Sequence, residues 1–107
     1  MNSMFLGAKY FNEPIGNWNV GEVRDMDKMF KDCVSFNQDI SRWNVSKVVS
    51  ISEMFAYCEK FNQDLDKWDV RNVRDVWRML KGTKAFNQDL ESWTQKNKNI
   101  NYPRMLD

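Results

Sequence analysis

The sequence contains no histidine, only two cysteines, and no long run of apolar residues among its 107 residues. The absence of histidine removes the usual general base at neutral pH, the commonest zinc ligand and the Ser-His-Asp triad. Two thiols without histidine make a poor metal site, and no stretch approaches the ~18 apolar residues of a membrane-spanning helix. We therefore expect no metal, no cofactor and no insertion into a membrane.

The sequence also lacks an excess of charge of either sign. Sixteen basic and fifteen acidic residues leave a net charge of +1, so no overall field attracts nucleic acid or an anionic membrane. Apolar residues make up 42% of the chain and aromatic residues 14%, which is enough to bury a core. These values predict one ordered domain, residues 1–107, without a nucleic-acid partner.

A Phe-Asn pair recurs every 25 residues, and a tryptophan follows each pair seven residues later. The pairs begin at Phe11, Phe36, Phe61 and Phe86, and the tryptophans are Trp18, Trp43, Trp68 and Trp93. A fixed period of this length indicates stacked units that share one continuous core. The period divides the chain into a half repeat (1–10), three repeats (11–35, 36–60 and 61–85) and a degenerate capping repeat (86–107).

Two spacings within each copy predict its secondary structure. Trp43 and Val45 flank Asn44 in the alternation of a short strand. The apolar residues that follow have the spacing of a helix with one buried face, and they are Val48, Ile51, Met54, Phe55 and Cys58. This reading predicts helices at roughly 22–32, 47–57 and 72–82. We expect stacked strands on a concave side and helices on a convex side.

A second interpretation replaces the strand with another helix. Phe36, Ile40 and Trp43 are also spaced as on a helix, and Ser35 with Gln38 resembles a capping box. Two helices in each copy would form an αα solenoid, which we keep as the alternative fold.

The second copy carries motifs of known repeat families. Its segment Ile40-x-x-Trp43-x-Val45-x-x-Val48 has leucine-rich-repeat spacing. Together with Phe55-x-x-Cys58 it resembles the BspA-like leucine-rich repeats. With Phe-Asn-Gln-Asp-Leu and Trp-Asn-Val, residues 4–93 more closely resemble the 25-residue repeat of unknown function in mycoplasma surface lipoproteins. This resemblance implies a right-handed leucine-rich-repeat-like α/β solenoid of about four strand-plus-helix units.

The family resemblance also implies a bacterial surface or adhesion-type module. The start of the chain has neither the uninterrupted apolar segment of a signal peptide nor a lipid-acceptor cysteine. We therefore expect a cytoplasmic protein unless the chain is a fragment. In addition, valine replaces the asparagine of the leucine-rich repeat, so backbone bonding is left to the asparagines of the Phe-Asn pairs, Asn12, Asn37, Asn62 and Asn87.

The candidate contact residues are those that vary between copies. Outward positions of the predicted strands place Asn19, Arg42, Asn44, Lys67 and Asp69 on one face. A second group consists of Arg74, Trp77 and Arg78, in which Trp77 stands at a step that should face solvent. Tryptophan with arginine is typical of interface hot spots. A structural role is the favoured alternative for Trp77, which would then pack beneath the C-terminal segment against Ile100, Tyr102 or Met105.

These observations predict a non-catalytic scaffold that binds a protein partner of unknown identity. The alternative is a self-assembly module that stacks through its uncapped N-terminal edge at Met4 and Phe5. Acidic residues vary between copies without clustering, which disfavours hydrolysis by a carboxylate pair. Cys33 and Cys58 occupy the same step, and we interpret them as buried thiols, with a disulfide as the alternative.

Overall fold

The computed structural model describes all residues, Met1–Asp107, and contains very little regular secondary structure. Helix α1 spans Glu91–Lys96 and helix α2 spans Tyr102–Met105. Residues Asp25, Ser50 and Asp75 form two isolated parallel bridges, and no longer strand is present. Neither helix has the length or the apolar composition needed to cross a bilayer. The predicted strand-plus-helix solenoid is therefore wrong, and the αα alternative is wrong as well.

Each segment predicted as a helix is a series of three tight turns. In the first copy the amides of Met29, Lys31 and Cys33 donate to the carbonyls of Met26, Lys28 and Phe30, respectively. An α-helix would instead bond each amide to the carbonyl four residues earlier. Lys28 (φ 57°) and Asp32 (φ 64°) have left-handed backbone conformations at the third position of the first and last turns. This is the position at which a type II turn requires positive φ.

The remaining amides of these turns bond to the next copy. Lys28 N–H donates to Ser52 at 3.0 Å, and Phe30 N–H donates to Met54 at 2.9 Å. The same bonds run from Ser3, Phe5 and Gly7 to Asp27, Met29 and Lys31, and from Glu53, Phe55 and Tyr57 to Trp77, Met79 and Lys81. Consecutive amides therefore alternate between their own turn and the neighbouring copy. The backbone is satisfied without a helix.

The distance between copies explains why turns replace helices. The rings of Phe30 and Phe55 lie 5.7 Å apart, and those of Phe36 and Phe61 lie 5.9 Å apart. Helices packed side by side need ~8–10 Å between their axes. Copies at this spacing leave no room for one helix each, whereas turns allow direct hydrogen bonds between copies.

The predicted strands are absent because the chain bends at their polar residue. Asn44 Oδ1 accepts a hydrogen bond from Ser46 N–H at 3.0 Å, which closes a turn directly after Trp43-Asn44-Val45. Val48 N–H then donates to Val45 at 3.0 Å and closes the next turn. No concave strand face exists, so the ladder of candidate residues lies on loops.

The core contains the apolar residues that the period predicts. Phe36, Phe55 and Trp68 are buried in one cluster of 27 residues that runs through all copies. Three tryptophans also bond to the preceding copy: the indole N–H groups of Trp43, Trp68 and Trp93 donate to Ile15, Ile40 and Leu65, each at 3.0 Å. Burial of the ring and satisfaction of its polar atom make these tryptophans part of the scaffold.

Three of the four asparagines of the Phe-Asn pairs bond backbone groups, as the sequence predicts, and the side chain of the fourth, Asn87, does not. Asn12 Oδ1 accepts from Asn37 N–H, and Asn37 Oδ1 accepts from Asn62 N–H, both at 2.9 Å. Asn62 Oδ1 accepts from Asn87 N–H at 3.0 Å. The glutamine that follows each later asparagine reaches back in the same way, since Gln63 Nε2 donates to Asn37 Oδ1 at 2.9 Å.

The two ends of the stack differ. At the C-terminal end Ile100 and Met105 are buried, and the amides of Arg78 and Leu80 donate to the carbonyls of Arg104 and Met105 at 2.8 Å. The C-terminal segment thus covers the turns of the third repeat. At the N-terminal end Met4, Leu6 and Trp18 are 52%, 46% and 39% exposed.

Candidate interaction surface

Three of the predicted contact residues hold the loops on which they lie. Asn19 Oδ1 accepts from Gly21 N–H at 3.0 Å, in the same way as Asn44. Asp69 Oδ1 accepts from Arg71 N–H at 3.3 Å. Asparagine and aspartate favour such turns because their side chains reach the amide two residues on. These side chains shape the surface, and their contact with a partner stays a prediction.

Arg42 lies on the loop of the second copy beside an acidic neighbour. It lines a cavity of about 190 Å³ with Gly16, Asn17 and Asp39. Hydrogen bonds from the side chain and backbone of Ser41 hold the pKa of Asp39 below its usual value. A carboxylate therefore stands beside the Arg42 guanidinium, and the cavity carries little net charge.

Lys67 opens onto a larger cavity of about 450 Å³ that Asp69, Arg71 and Lys96 also line. Arg71 Nη2 lies 2.6 Å from Asp69 Oδ2, and the hydrogen bonds from Arg71 lower the pKa of that carboxyl group. Lys96 Nζ donates to the carbonyl of Trp68 at 3.2 Å. Lys67 makes no ion pair, so its ammonium group is available to an outside anion.

Arg74 belongs to a cleft that the sequence reading did not identify. Arg24, Lys47, Asn72 and Arg74 surround a cavity of about 260 Å³ with Val49; we call these four residues the basic groove. Val49 N–H donates to Arg24 at 2.7 Å, and Arg74 N–H donates to Val49 at 2.7 Å. The backbone therefore holds the two arginines on opposite sides of Val49, in the preceding and the following copy.

One carboxylate neutralises part of the positive charge of the basic groove. Lys47 Nζ lies 2.8 Å from Glu22 Oε2, and the hydrogen bond from Lys47 lowers the pKa of Glu22. Neither Arg24 nor Arg74 makes an ion pair. The groove thus presents two unpaired guanidinium groups, which favour carboxylate or phosphate as a bidentate ligand.

The 25-residue period relates the groove residues that the sequence did not lead us to predict, Arg24, Lys47 and Asn72. Arg24 and Arg74 stand at the same step of the 25-residue period, with Val49 between them. Lys47 and Asn72 stand at another shared step, and Asn72 Nδ2 donates to Ser46 at 2.7 Å. Equal steps in a stack lie one above another, so two arginines in alternate copies predict a common cleft.

Trp77 and Arg78 follow Arg74 closely in the chain but do not line the groove, and they belong to the turns that begin at Val76. Both are half-buried, and the Arg78 guanidinium carbon lies 4.2 Å from the centroid of the Trp77 ring. The Trp77 carbonyl accepts from Glu53 N–H at 2.8 Å and from Ser52 Oγ at 3.2 Å. The C-terminal segment bonds to Arg78, the next residue. Both roles predicted for Trp77 remain predictions.

The cysteines are buried and not bonded to each other. The Cys33 thiol lies 3.0 Å from the carbonyl of Phe5, and the Cys58 thiol lies 2.8 Å from that of Phe30. Burial raises the pKa of Cys33 to about 11, and burial also raises the pKa of Cys58. The buried-thiol interpretation is confirmed and the disulfide alternative is wrong. A reactive thiolate is scarce at neutral pH.

The chain matches a known protein family over nearly its whole length. A family model described as "Mycoplasma protein of unknown function, DUF285" matches residues 1–106. No curated protein and no solved structure matches the chain.

Proposed function

The chain belongs to the DUF285 family of Mycoplasma proteins, whose function is unknown, and we propose that it is a non-catalytic module that binds an acidic segment of a partner protein through the basic groove. The observation that supports this proposal is the pair of unpaired arginines, Arg24 and Arg74, on the two sides of Val49. Arginine binds carboxylates through two parallel hydrogen bonds, and it is enriched at interface hot spots.

A protein partner fits the groove better than nucleic acid does. Glu22 forms an ion pair with Lys47 of the groove, and Asp25 and Asp75 follow its two arginines directly in the chain. A duplex presents one phosphate charge per ~1.7 Å of axis, so it would meet these carboxylates as well as the arginines. A peptide with separate carboxylates can pair with the arginines alone.

The bonding of the repeated residues supports a scaffold rather than an enzyme. The asparagines and tryptophans of the repeat bond backbone groups of neighbouring copies. The cysteines are buried, and the aspartates after the Phe-Asn-Gln segments close turns, as Asp64 does with Asp66 N–H at 2.9 Å. These side chains bond or pack within the protein, whereas catalysis requires groups that converge on a substrate.

The resemblance to surface lipoprotein repeats rests on the Phe-Asn-Gln-Asp-Leu motif, and the more distant one to the BspA-like class rests on Phe-x-x-Cys. It would place the partner outside the cell, where an adhesion-type module meets host or neighbouring surfaces. We propose this setting together with the groove. The test of the groove does not depend on it.

The proposal is tested by selecting peptides from a random display library on the intact protein. We expect the selected peptides to be rich in Asp and Glu, and their affinity to fall as salt rises. Affinity is then measured by fluorescence anisotropy on the Arg24→Glu/Arg74→Glu variant. We expect a loss of at least about tenfold, because close charge pairs at interfaces couple strongly.

The matched control is Lys9→Glu/Lys60→Glu, which makes the same change of charge at two exposed lysines outside the groove. This variant should keep nearly the full affinity. Selected peptides without acidic residues, or equal losses in the two variants, would contradict the proposal. Tighter binding of a single-stranded oligonucleotide than of the selected peptides would also contradict it.

A further inference from the structure

The two arginines of the basic groove are held at a fixed separation by the backbone between them. Val49 N–H donates to the Arg24 carbonyl, and Arg74 N–H donates to the Val49 carbonyl, each at 2.7 Å. The residues that directly follow these three form the two isolated parallel bridges. Backbones bridged in this way lie about 4.8 Å apart, so the Cα atoms of the two arginines lie about 10 Å apart across two copies.

The floor of the groove between the arginines offers no free polar group. The Val49 backbone bonds to Arg24 through its N–H and to Arg74 through its carbonyl, and the Val49 side chain is apolar and 37% exposed. The part of a ligand that crosses Val49 therefore finds no acceptor for a hydrogen bond. Proline, which has no backbone N–H, and apolar side chains lose nothing at this point.

The acidic residues that follow the two arginines in the chain do not pair with them. Asp25 Oδ1 accepts from Asp27 N–H at 2.8 Å, and Asp75 Oδ1 accepts from Trp77 N–H at 3.0 Å. Both carboxylates close their own turns, and neither forms an ion pair with an arginine. Two anionic groups of one ligand can therefore bind the two guanidinium groups at the same time.

A separation of about 10 Å distinguishes between the regular conformations of an extended peptide. A polyproline II segment has three residues per turn and a rise of about 3.1 Å, so residues i and i+3 lie on one face about 9 Å apart. In a β-strand the residues on one face lie about 7 Å or about 13 Å apart, because side chains alternate. Two carboxylates on residues i and i+3 of a polyproline II segment therefore match the arginines best.

We propose that the basic groove binds an extended acidic segment in which two Asp or Glu residues are separated by two proline or apolar residues. This specificity rests on the proposed function, because it assigns the spacing and the conformation of the acidic segment that the groove binds. Each carboxylate pairs with one arginine, and the two residues between the carboxylates cross Val49. A segment with another spacing pairs with one arginine at a time.

The test uses short peptides in which two aspartates flank one, two or three prolines, with acetylated and amidated ends so that only the aspartates carry charge. Successive residues of polyproline II are turned by about 120°, so only the peptide with two prolines presents both carboxylates on one side. Affinity for the full-length protein is measured by NMR titration of the Arg24, Val49 and Arg74 amides. We expect the peptide with two prolines to bind about three- to fivefold more tightly than the other two, which is the value of one exposed ion pair.

Two variants test whether the preference depends on both arginines. Arg74→Gln should remove it, because a single arginine does not distinguish the three peptides. Lys60→Gln is the control, since it removes one charge at an exposed lysine outside the groove, and this variant should keep the preference. Retention of the preference in Arg74→Gln, or its loss in both variants, would overturn the proposal.

The remaining outcomes separate the spacing from the proposed function. Equal binding of the three peptides, with affinity lost in Arg24→Glu/Arg74→Glu, would contradict the spacing alone and leave the groove as a site for acidic segments. Peptide affinity that is unchanged in Arg24→Glu/Arg74→Glu would contradict both. Tighter binding of a helical peptide with glutamates at i and i+7, which also lie about 10 Å apart, would contradict the extended conformation.

Discussion

The first three asparagines of the Phe-Asn pairs each accept hydrogen bonds from the copy that follows. Asn37 Oδ1 accepts from Asn62 N–H and from Gln63 Nε2, both at 2.9 Å. The recurrence of this residue therefore follows from a bond that each interface between copies needs. Recurrence in this chain marks the scaffold and not a binding site.

A comparison of Asn37 with Asn87, the last asparagine of the Phe-Asn pairs, tests whether these side chains stabilise the stack. Asn37→Ala leaves Asn62 N–H without its acceptor, while Gln63 Nε2 keeps the Asn37 carbonyl at 3.1 Å, and we expect the variant to lower the free energy of unfolding by about 1–2 kcal/mol. Asn87 Oδ1 accepts no hydrogen bond from the protein, so Asn87→Ala should cost only a few tenths of a kcal/mol. Urea unfolding followed by tryptophan fluorescence measures both. Equal losses would show that the ladder contributes nothing.

At the scale of the elements, two left-handed positions recur in every series of turns. The first position holds Ser3, Lys28, Glu53 and Arg78, and the second holds Gly7, Asp32, Tyr57 and Gly82. Glycine adopts positive φ without steric cost, whereas other residues lose roughly 1–2 kcal/mol there. Gly7 and Gly82 suit this conformation best and Asp32 tolerates it, whereas the other residues are held in it by the bonds between copies.

A glycine at the second left-handed position should therefore stabilise the protein. The side chain of Asp32 is exposed and bonds to nothing, while its amide donates to Ala56 at 2.9 Å and remains in the variant. We expect Asp32→Gly to raise the free energy of unfolding by about 0.5–1 kcal/mol. Lys60→Gly, at an exposed residue without positive φ, should lower it by about 0.4–1 kcal/mol. A loss in both variants, measured by urea unfolding, would contradict the turn geometry.

The sequence predicts the core of this fold but not its elements. The period identifies Phe36, Trp43 and Phe55 as buried residues, and they are buried. The spacing of Ile51, Phe55 and Cys58 is equally compatible with a helix and with successive three-residue turns. Lysine, glutamate and arginine are not typical of positive φ, so the presence of Lys28, Glu53 and Arg78 does not predict turns. Only Gly7 and Gly82, which share one step of the period, indicate a turn.

The exposed residues of the candidate surface are predictable from the sequence, but the cleft that they form is not. Arg42, Lys67 and Arg74 are exposed, as their variation between copies suggests. The basic groove was missed because a cleft arises between loops of different copies. Its position depends on how those copies stack. The shared step of Arg24 and Arg74 carries that information only once the stack is known.

At the scale of the whole molecule, the two ends of the stack differ in burial. Ile100 and Met105 are buried against the third repeat, whereas Met4 and Leu6 are exposed. The basic groove opens between copies, on the loops of the first three repeats. The regular residues thus build the scaffold, and the basic groove lies where the copies differ.

The central claim is that the copies are joined by hydrogen bonds between turns rather than built from helices. NMR couplings across hydrogen bonds test it directly, because each coupling identifies the donor amide and the acceptor carbonyl. We predict couplings from Phe30 N–H to the Met54 carbonyl and from Phe55 N–H to the Met79 carbonyl, 24 residues apart. Couplings from the same amides to the carbonyls four residues earlier, Met26 and Ile51, would contradict the account.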